Sequence, residues 1–171
     1  MKPFGSTQIG EAFVGSGADA AHVNTVLGER GGPVETAWAT ALAMPRPGHI
    51  GFVCVLQPGL PVKPFTLFVN QAPLTGPRHE RLTWGAAQAG VAAGVLWAVA
   101  DDIIVAEAVD ELLLIAAVWV DPVAGDESAV YENNRKSTRD ALEAGRRGTP
   151  DLEDLLAVRD EAWNPFFRGP G

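Results

Sequence analysis

The chain has 171 residues, of which 47% are apolar and 20% are charged. A compact domain takes roughly 100–200 residues, so we expect one domain over residues 1–171. The formal net charge of −8 repels a phosphate backbone, which argues against a nucleic-acid partner.

The sequence also argues against a secreted protein, a membrane protein, a disulfide-linked domain and a metal-binding protein. The first residues lack the apolar segment of a signal peptide, and the longest apolar stretch, 112–120, is less than half a bilayer span. The single cysteine, Cys54, cannot form an internal disulfide, which suits a reducing compartment. No Cys/His cluster has metal-ligand spacing. We therefore expect a cytoplasmic protein without a metal and without membrane contact.

Predicted strands and helices alternate along the chain. Extended runs come first, followed by a helix with Gly32 as N-cap and Pro33 in its first turn, which prolines at 45 and 47 end. A second helix is predicted from an N-cap at Thr83, with glycines at 85, 90 and 94 that allow close approach of a neighbour. The predicted strands are 12–14, 21–27, 51–56, 65–69 and 112–120, and the later helices are 127–144 and 150–162, the last with Thr149 as cap.

This alternation indicates a layered α+β or α/β domain, with the continuous apolar run 112–120 at the centre of the sheet and an irregular tail from about 164. General motifs add little. A phosphate-binding G-x-x-x-x-G-K-[ST], a nucleophile-elbow G-x-S-x-G and an H-E-x-x-H are all missing from the sequence. Gly15-Ser-Gly17 starts a dinucleotide-binding pattern that fails at Ala20.

Longer segments are more specific. The stretch Gly10-Glu-Ala-Phe-Val-Gly-Ser-Gly17 is followed by Ala21-His22 and then by Gly32-Pro-Val-Glu-Thr-Ala37. A proline-rich segment occupies 58–67, and Trp84-Gly-Ala-Ala-Gln88 precedes Gly90-Val-Ala92. In order and spacing, from about residue 10 to 142, these segments resemble the formaldehyde-activating enzymes.

The resemblance implies a fold and a reaction. The fold would be a two-layer α+β domain similar to domain 2 of ribosomal protein S5. The reaction would be the condensation of formaldehyde with tetrahydromethanopterin, a hydro-lyase activity that releases water and needs no bound cofactor. Members of the family assemble as homopentamers and bind the pterin between neighbouring subunits, so formaldehyde and a reduced pterin are the implied partners.

The chemistry of this reaction favours a histidine as proton donor. Formaldehyde adds to an amine readily, but the carbinolamine loses hydroxide only when the leaving oxygen is protonated, and an imidazole titrates near the working pH. His22 aligns with the proton donor of the family; without the resemblance, a structural histidine in a strand would be the favoured explanation. His49 and His79 are predicted to lie in loops.

The resemblance assigns pterin contacts to two further residues. Gln88 matches a pterin-contacting glutamine, although a solvated helix glutamine is the simpler alternative. Val53 occupies the position of an apolar residue that lines the pterin site, and packing in a buried strand would also account for it. Trp84, beside Gln88, is the tryptophan best placed to stack on a pterin ring.

Four positions depart from the family pattern. Asn24 replaces an aspartate, Gln71 a lysine, Pro73 a threonine and Asp121 a histidine. Asn24 and Gln71 thus become candidate substrate contacts of altered chemistry. Asn24 cannot supply the negative charge that supports a protonated imidazole, which predicts a weaker proton donor at His22 or a different pterin. These replacements also keep open a second function, a non-catalytic paralogue that carries or senses pterin or formaldehyde adducts.

Overall fold

The computed structural model describes residues 6–164 and Phe167. They form strands and helices that are listed here in chain order: β1 (Gln8–Val14), β2 (Ala21–Glu29), α1 (Pro33–Ala43), β3 (Gly51–Val53), β4 (Val55–Gln57), β5 (Leu60–Pro61), β6 (Phe65–Asn70), α2 (Pro77–Arg81), α3 (Gln88–Ala100), β7 (Leu112–Trp119), α4 (Glu127–Arg147) and α5 (Leu152–Ala157). A π-helical stretch, Leu82–Ala87, joins α2 to α3.

The centre of the fold is a five-stranded sheet in the order β1-β2-β7-β6-β3. Neighbouring strands are antiparallel except β6 and β7, which run parallel. Strands β4 and β5 form a separate two-stranded arm. The prediction of an α+β domain with 112–120 inside the sheet is thereby confirmed, while the likeness to domain 2 of ribosomal protein S5 and the single-domain organisation stay predictions.

Alternation along β2 gives the sheet two different faces. Val23 and Leu27 are buried against the layer formed by α3 and α4, whereas His22 and Asn24 point to the opposite face and are only half-buried. Helix α1 contacts β2, β7 and β3. We call the part of this opposite face that carries His22 the open face.

Close packing of α3 on α4 depends on two glycines. A Cβ atom at Gly90 would lie 2.4 Å from the carbonyl oxygen of Tyr131, and one at Gly94 would lie 2.4 Å from that of Arg135. A Cβ at Gly85 would meet nothing within 4 Å. The prediction of close approach is therefore confirmed at 90 and 94 and wrong at 85.

The second helix begins earlier than predicted. Thr83 is not its N-cap, because helix begins at Pro77, directly after Gly76 with a φ of 87°. Proline tolerates this first position since the helix would leave its N–H unsatisfied there. From Pro77 to Ala100 the segment is long and apolar enough to cross a membrane, but 61% of that apolar window is buried inside this domain, as in a core helix.

Two other predicted elements also change. The strand predicted over 51–56 divides at the buried Cys54 into β3 and β4, which belong to different sheets. The helix predicted over 150–162 is shorter, and its cap is Asp151 rather than Thr149. The Asp151 carboxylate accepts a 3.0 Å bond from the Asp154 N–H, which defines the first turn of α5. Of the irregular tail predicted from about 164, the described part is Asn164 and Phe167, which form an isolated β-bridge.

Candidate active site

His22 lies near the beginning of β2, on the open face. Its direct cross-strand neighbours are Phe13 on β1 and Trp119 on β7. The Phe13 and His22 rings are 6.1 Å apart between centroids and are inclined by 55°. Aromatic neighbours on both adjacent strands therefore flank the imidazole.

A carboxylate contacts this imidazole. Glu11 precedes Phe13 by two residues on β1 and so lies on the same face, diagonal to His22. The distance from Glu11 Oε1 to His22 Nε2 is 2.9 Å. The side chains are 58% and 39% exposed respectively, so both can be reached by a ligand.

These residues line a cavity of about 590 Å³, which we call the His22 pocket. Asn24 lies directly opposite Glu11 in the β1–β2 register, and Gln71 follows β6 with its N–H bonded to the Val118 oxygen at 2.8 Å. The structure therefore brings the predicted residues His22, Asn24 and Gln71 to one place. The lining residues are Glu11, Phe13, His22, Asn24, Gln71, Trp119, Trp163 and Asn164.

Gln88 lies elsewhere. It begins α3 in the helix layer, is 6% exposed, and its Oε1 accepts a 2.6 Å bond from the Val55 N–H. It lines a second cavity, of about 660 Å³, between β4 and helices α3 and α4, together with Trp84 and Tyr131. We call this the Gln88 cleft. The alternative interpretation of Gln88 as a solvated helix glutamine is wrong, because the residue is buried and its oxygen anchors β4.

Val53 and Pro73 also lie outside the described lining of the His22 pocket. Val53 lies on β3, where it pairs with Leu67 of β6. Strand β3 is three strands from β2, which corresponds to about 14 Å across the sheet. Pro73 lies beside Gly48, where a Cβ would be 3.3 Å from the proline Cβ. Within one chain, neither residue completes the His22 pocket.

The other two histidines have structural surroundings. His49 is in the predicted loop, with its Nδ1 2.9 Å from the Asn70 oxygen. His79 is helical and 2% exposed, so its prediction as a loop residue is wrong. Its Nδ1 accepts a 3.2 Å bond from the Thr75 N–H, which leaves the proton on Nε2 to be donated to the Val120 oxygen at 3.0 Å.

The β1–β2 hairpin that carries His22 is fixed to α4 by Asp19. Its carboxylate oxygen Oδ1 accepts bonds from the Gly125 and Asp126 N–H groups at 2.7 and 2.9 Å. These two bonds, the first being the stronger influence, lower the pKa of Asp19. The hairpin is thus anchored at its turn, close to the start of β2.

Sequence reasoning missed several lining residues of the His22 pocket. Glu11 could have been found by pairing the first two predicted strands as a hairpin, since alternation then places residues 11 and 13 on the same face as 22 and 24. Trp119 requires the β2–β7 register, and Trp163 and Asn164 come from the far end of the chain. No local pattern predicts those contacts.

The pocket holds the groups for proton transfer, with an imidazole beside a carboxylate and apolar rings around them. Among the described residues, no group of three His, Cys, Asp or Glu side chains could hold a metal ion. Cys54 is fully buried, and burial raises the pKa of its thiol to about 12, so it does not act as a nucleophile. Fold and site together define a small α+β protein equipped for acid–base chemistry.

Comparison with known proteins identifies the family. Residues 9–167 match the family model of the formaldehyde-activating enzyme (Fae), and the chain belongs to this family. It is 40% identical over 160 residues to the 5,6,7,8-tetrahydromethanopterin hydro-lyase of Methanosarcina barkeri (strain Fusaro / DSM 804), covering 94% of this chain and 90% of that relative.

Two further relatives are longer proteins. The bifunctional enzyme Fae/Hps of the same Methanosarcina barkeri strain is 36% identical over 149 residues, which cover 87% of this chain and 38% of the relative. The bifunctional enzyme Fae/Hps of Methanococcoides burtonii is 36% identical over 154 residues, covering 90% of this chain and 39% of the relative. In both cases the match concerns less than half of the relative's length.

Proposed function

We propose that this protein condenses formaldehyde with tetrahydromethanopterin to the methylene derivative, with His22 as the proton donor, and that it acts as a single domain in the cytoplasm. The observation that carries the proposal is the imidazole–carboxylate pair at 2.9 Å in an aromatic-lined pocket. Family membership and the name of the Methanosarcina barkeri relative support the substrates.

In the proposed reaction, His22 donates one proton and later recovers it. Formaldehyde adds to one pterin amine to give a carbinolamine. His22 then donates a proton to the hydroxyl oxygen, the C–O bond breaks, water leaves and the amine lone pair forms an iminium. The second amine attacks the iminium carbon and loses its proton, which restores the imidazolium. Proximity of the second amine within the bound pterin contributes to the rate.

We further propose that each site is shared by two subunits of a homopentamer. His22 and Gln88 line separate cavities of one chain, so a single chain cannot present both to one ligand as it stands. A site that combines the His22 pocket of one subunit with the Gln88 cleft and Val53 of its neighbour would reunite them. Because Gln88 Oε1 is engaged by Val55, its amide N–H groups would contact the pterin.

The residues that differ from the family pattern near the site favour a second candidate function, a non-catalytic carrier or sensor of pterin. Gln71 and Asn24 line the pocket as neutral amides, and Pro73 has no N–H to donate. Cys54 does not support a thiol-based formaldehyde carrier, because it is fully buried. A carrier would therefore bind the pterin and leave its condensation rate unchanged.

The test is a rate measurement above the uncatalysed background. Formaldehyde and tetrahydromethanopterin condense slowly without enzyme, so the wild type and His22→Ala are compared at equal protein concentration. We expect the wild type to accelerate the reaction and His22→Ala to give only the background rate. Calorimetry should show that His22→Ala still binds the pterin. A wild type that binds the pterin without acceleration would establish the carrier instead.

A further inference from the structure

Glu11 is the charged group closest to the proposed donor. Its carboxylate is 2.9 Å from His22 Nε2, and among the described residues lining the His22 pocket, Glu11 and His22 alone are titratable. Within one chain, the described pocket residues from other elements are neutral: Trp119 from β7, Gln71 after β6, and Trp163 and Asn164 from the end of the chain.

The register between β1 and β2 places the side chains of Glu11 and His22 close enough for this contact. Residues 11 and 22 are diagonal neighbours on one face, and such pairs are within reach of long side chains. The ring of Phe13, the direct neighbour of His22, lies on one side of the imidazole and limits its movement. The contact of Nε2 with Glu11 and the ring of Phe13 together restrict the orientation of the imidazole.

Energetics argue against a stabilising role for the pair. Both side chains are more than one third exposed, and exposed ion pairs contribute about 0–1 kcal/mol to folding. When the imidazole carries its second proton, the carboxylate is its counter-ion. The pair therefore acts on the orientation of His22 and on the charge beside it much more than on the fold.

We propose that Glu11 is a positioning residue that orients the His22 imidazole and is the counter-ion of its protonated form, and that it supplies the negative charge which the amide of Asn24 cannot. This inference rests on the proposed function for its catalytic meaning. Its physical content, a carboxylate charge that acts on the imidazole, can be tested independently.

The first experiment is an NMR titration of the histidine Cε1–H signals, with His22→Ala used to assign His22. Glu11→Gln keeps the shape of the side chain and removes its charge. We expect a lower midpoint for His22 in Glu11→Gln than in the wild type, because the variant lacks the nearby negative charge. Glu107→Gln, an exposed glutamate outside the pocket, is the matched control and leaves the midpoint in place. An unchanged midpoint in Glu11→Gln overturns the proposal, whatever the catalytic activity.

The second experiment moves the carboxylate. Asn24 lies directly opposite Glu11 and lines the same pocket, so Asn24→Asp in the Glu11→Gln background returns one negative charge to it. In the double variant we expect the His22 midpoint and the alkaline limb of the pH–rate profile to move back toward the wild type. A midpoint that stays at the Glu11→Gln value contradicts the role of charge.

The two proposals fail in different ways. If the wild type gives no acceleration but the His22 midpoint falls in Glu11→Gln, the proposed function is wrong and the coupling is right. If the wild type accelerates the reaction and His22→Ala does not, but Glu11→Gln has the wild-type pH profile and His22 midpoint, the proposed function stands and the role of Glu11 is wrong.

Discussion

His22 and Gln88 lie on opposite sides of the central sheet. His22 is on the open face of β2, whereas Gln88 begins α3 in the helix layer and lines the Gln88 cleft. A ligand that contacts both residues, as we propose, would therefore bind between two chains, which leads to a direct test of the shared site.

Mixed oligomers should recover activity that neither parent variant has. His22→Ala removes the donor, and Gln88→Glu keeps an oxygen for the Val55 N–H while removing the amide donors. When the two inactive variants are co-expressed, about a quarter of the sites in randomly mixed rings combine two intact halves. We expect that fraction of wild-type activity, measured as rate above background. Mixing the variants without subunit exchange is the control, and an inactive mixed oligomer would refute the shared site.

Asn24→Asp should change both the pH profile and the stability. A second carboxylate in the pocket extends the alkaline limb of the pH–rate profile upward, because the protonated imidazole gains another counter-charge. Asn24 lies directly opposite Glu11, so the free energy of unfolding should fall by up to about 1 kcal/mol from like-charge repulsion. Asn24→Gln keeps the amide and serves as control. Identical pH profiles for the wild type and Asn24→Asp would contradict a weakened donor.

Asp19→Asn should weaken the protein in a pH-dependent way. Bonds from the Gly125 and Asp126 N–H groups lower the pKa of folded Asp19 below an unfolded value of roughly 3.9. Their stabilisation is therefore present above that value and is lost as the pH falls through the folded pKa. In urea unfolding we expect a loss of about 1 kcal/mol near pH 7, which diminishes as the pH falls through the folded pKa of Asp19. Asp160→Asn, at an exposed position, is the control; a loss of the same size at neutral and at acidic pH would be inconsistent with this origin.

Gly94→Ala and Gly85→Ala form a matched pair for the packing of α3 on α4. The new methyl at 94 would lie 2.4 Å from the Arg135 oxygen, so the helices must separate, at a cost of about 1–3 kcal/mol. The methyl at 85 meets nothing within 4 Å, so Gly85→Ala should be neutral or more stable by up to about 1 kcal/mol. Thermal unfolding measures both, and equal effects would show that the contact with α4 is unimportant.

Cys54 should be unreactive in the folded protein. It is fully buried, and burial raises its pKa to about 12, so almost no thiolate exists near neutral pH. A chromogenic disulfide reagent should detect no thiol in the native state and one per chain after unfolding in denaturant. Rapid labelling of native protein would mean that the β3–β4 junction opens readily.

Local patterns in the sequence were sufficient to predict the elements that a proline or an unbroken apolar run marks clearly. Pro33 marked the start of α1, and the unbroken apolar run 112–120 marked the central strand. The start of α2 was missed because residues 78–81 are polar or charged and the apolar pattern begins later, near Thr83. The division at Cys54 follows from tertiary pairing of β3 and β4 with different partners, which periodicity does not encode.

The same distinction holds at the site. Resemblance to a family indicated His22, Asn24 and Gln71, and the structure places them in one pocket. Glu11 has no motif of its own, since its importance depends on a diagonal contact between two strands. The separation of Gln88 and Val53 from His22 is a property of the folded sheet, and linear order gives no measure of it.

The contacts of buried His79 have an evolutionary consequence. Thr75 is tied to His79, and His79 to the end of β7, so the chain leaving β6 is held from the protein interior. Residues 71 and 73 can then vary without redirecting the backbone that presents them. A scaffold of this kind can adopt a new one-carbon acceptor through a few side-chain exchanges while its architecture persists.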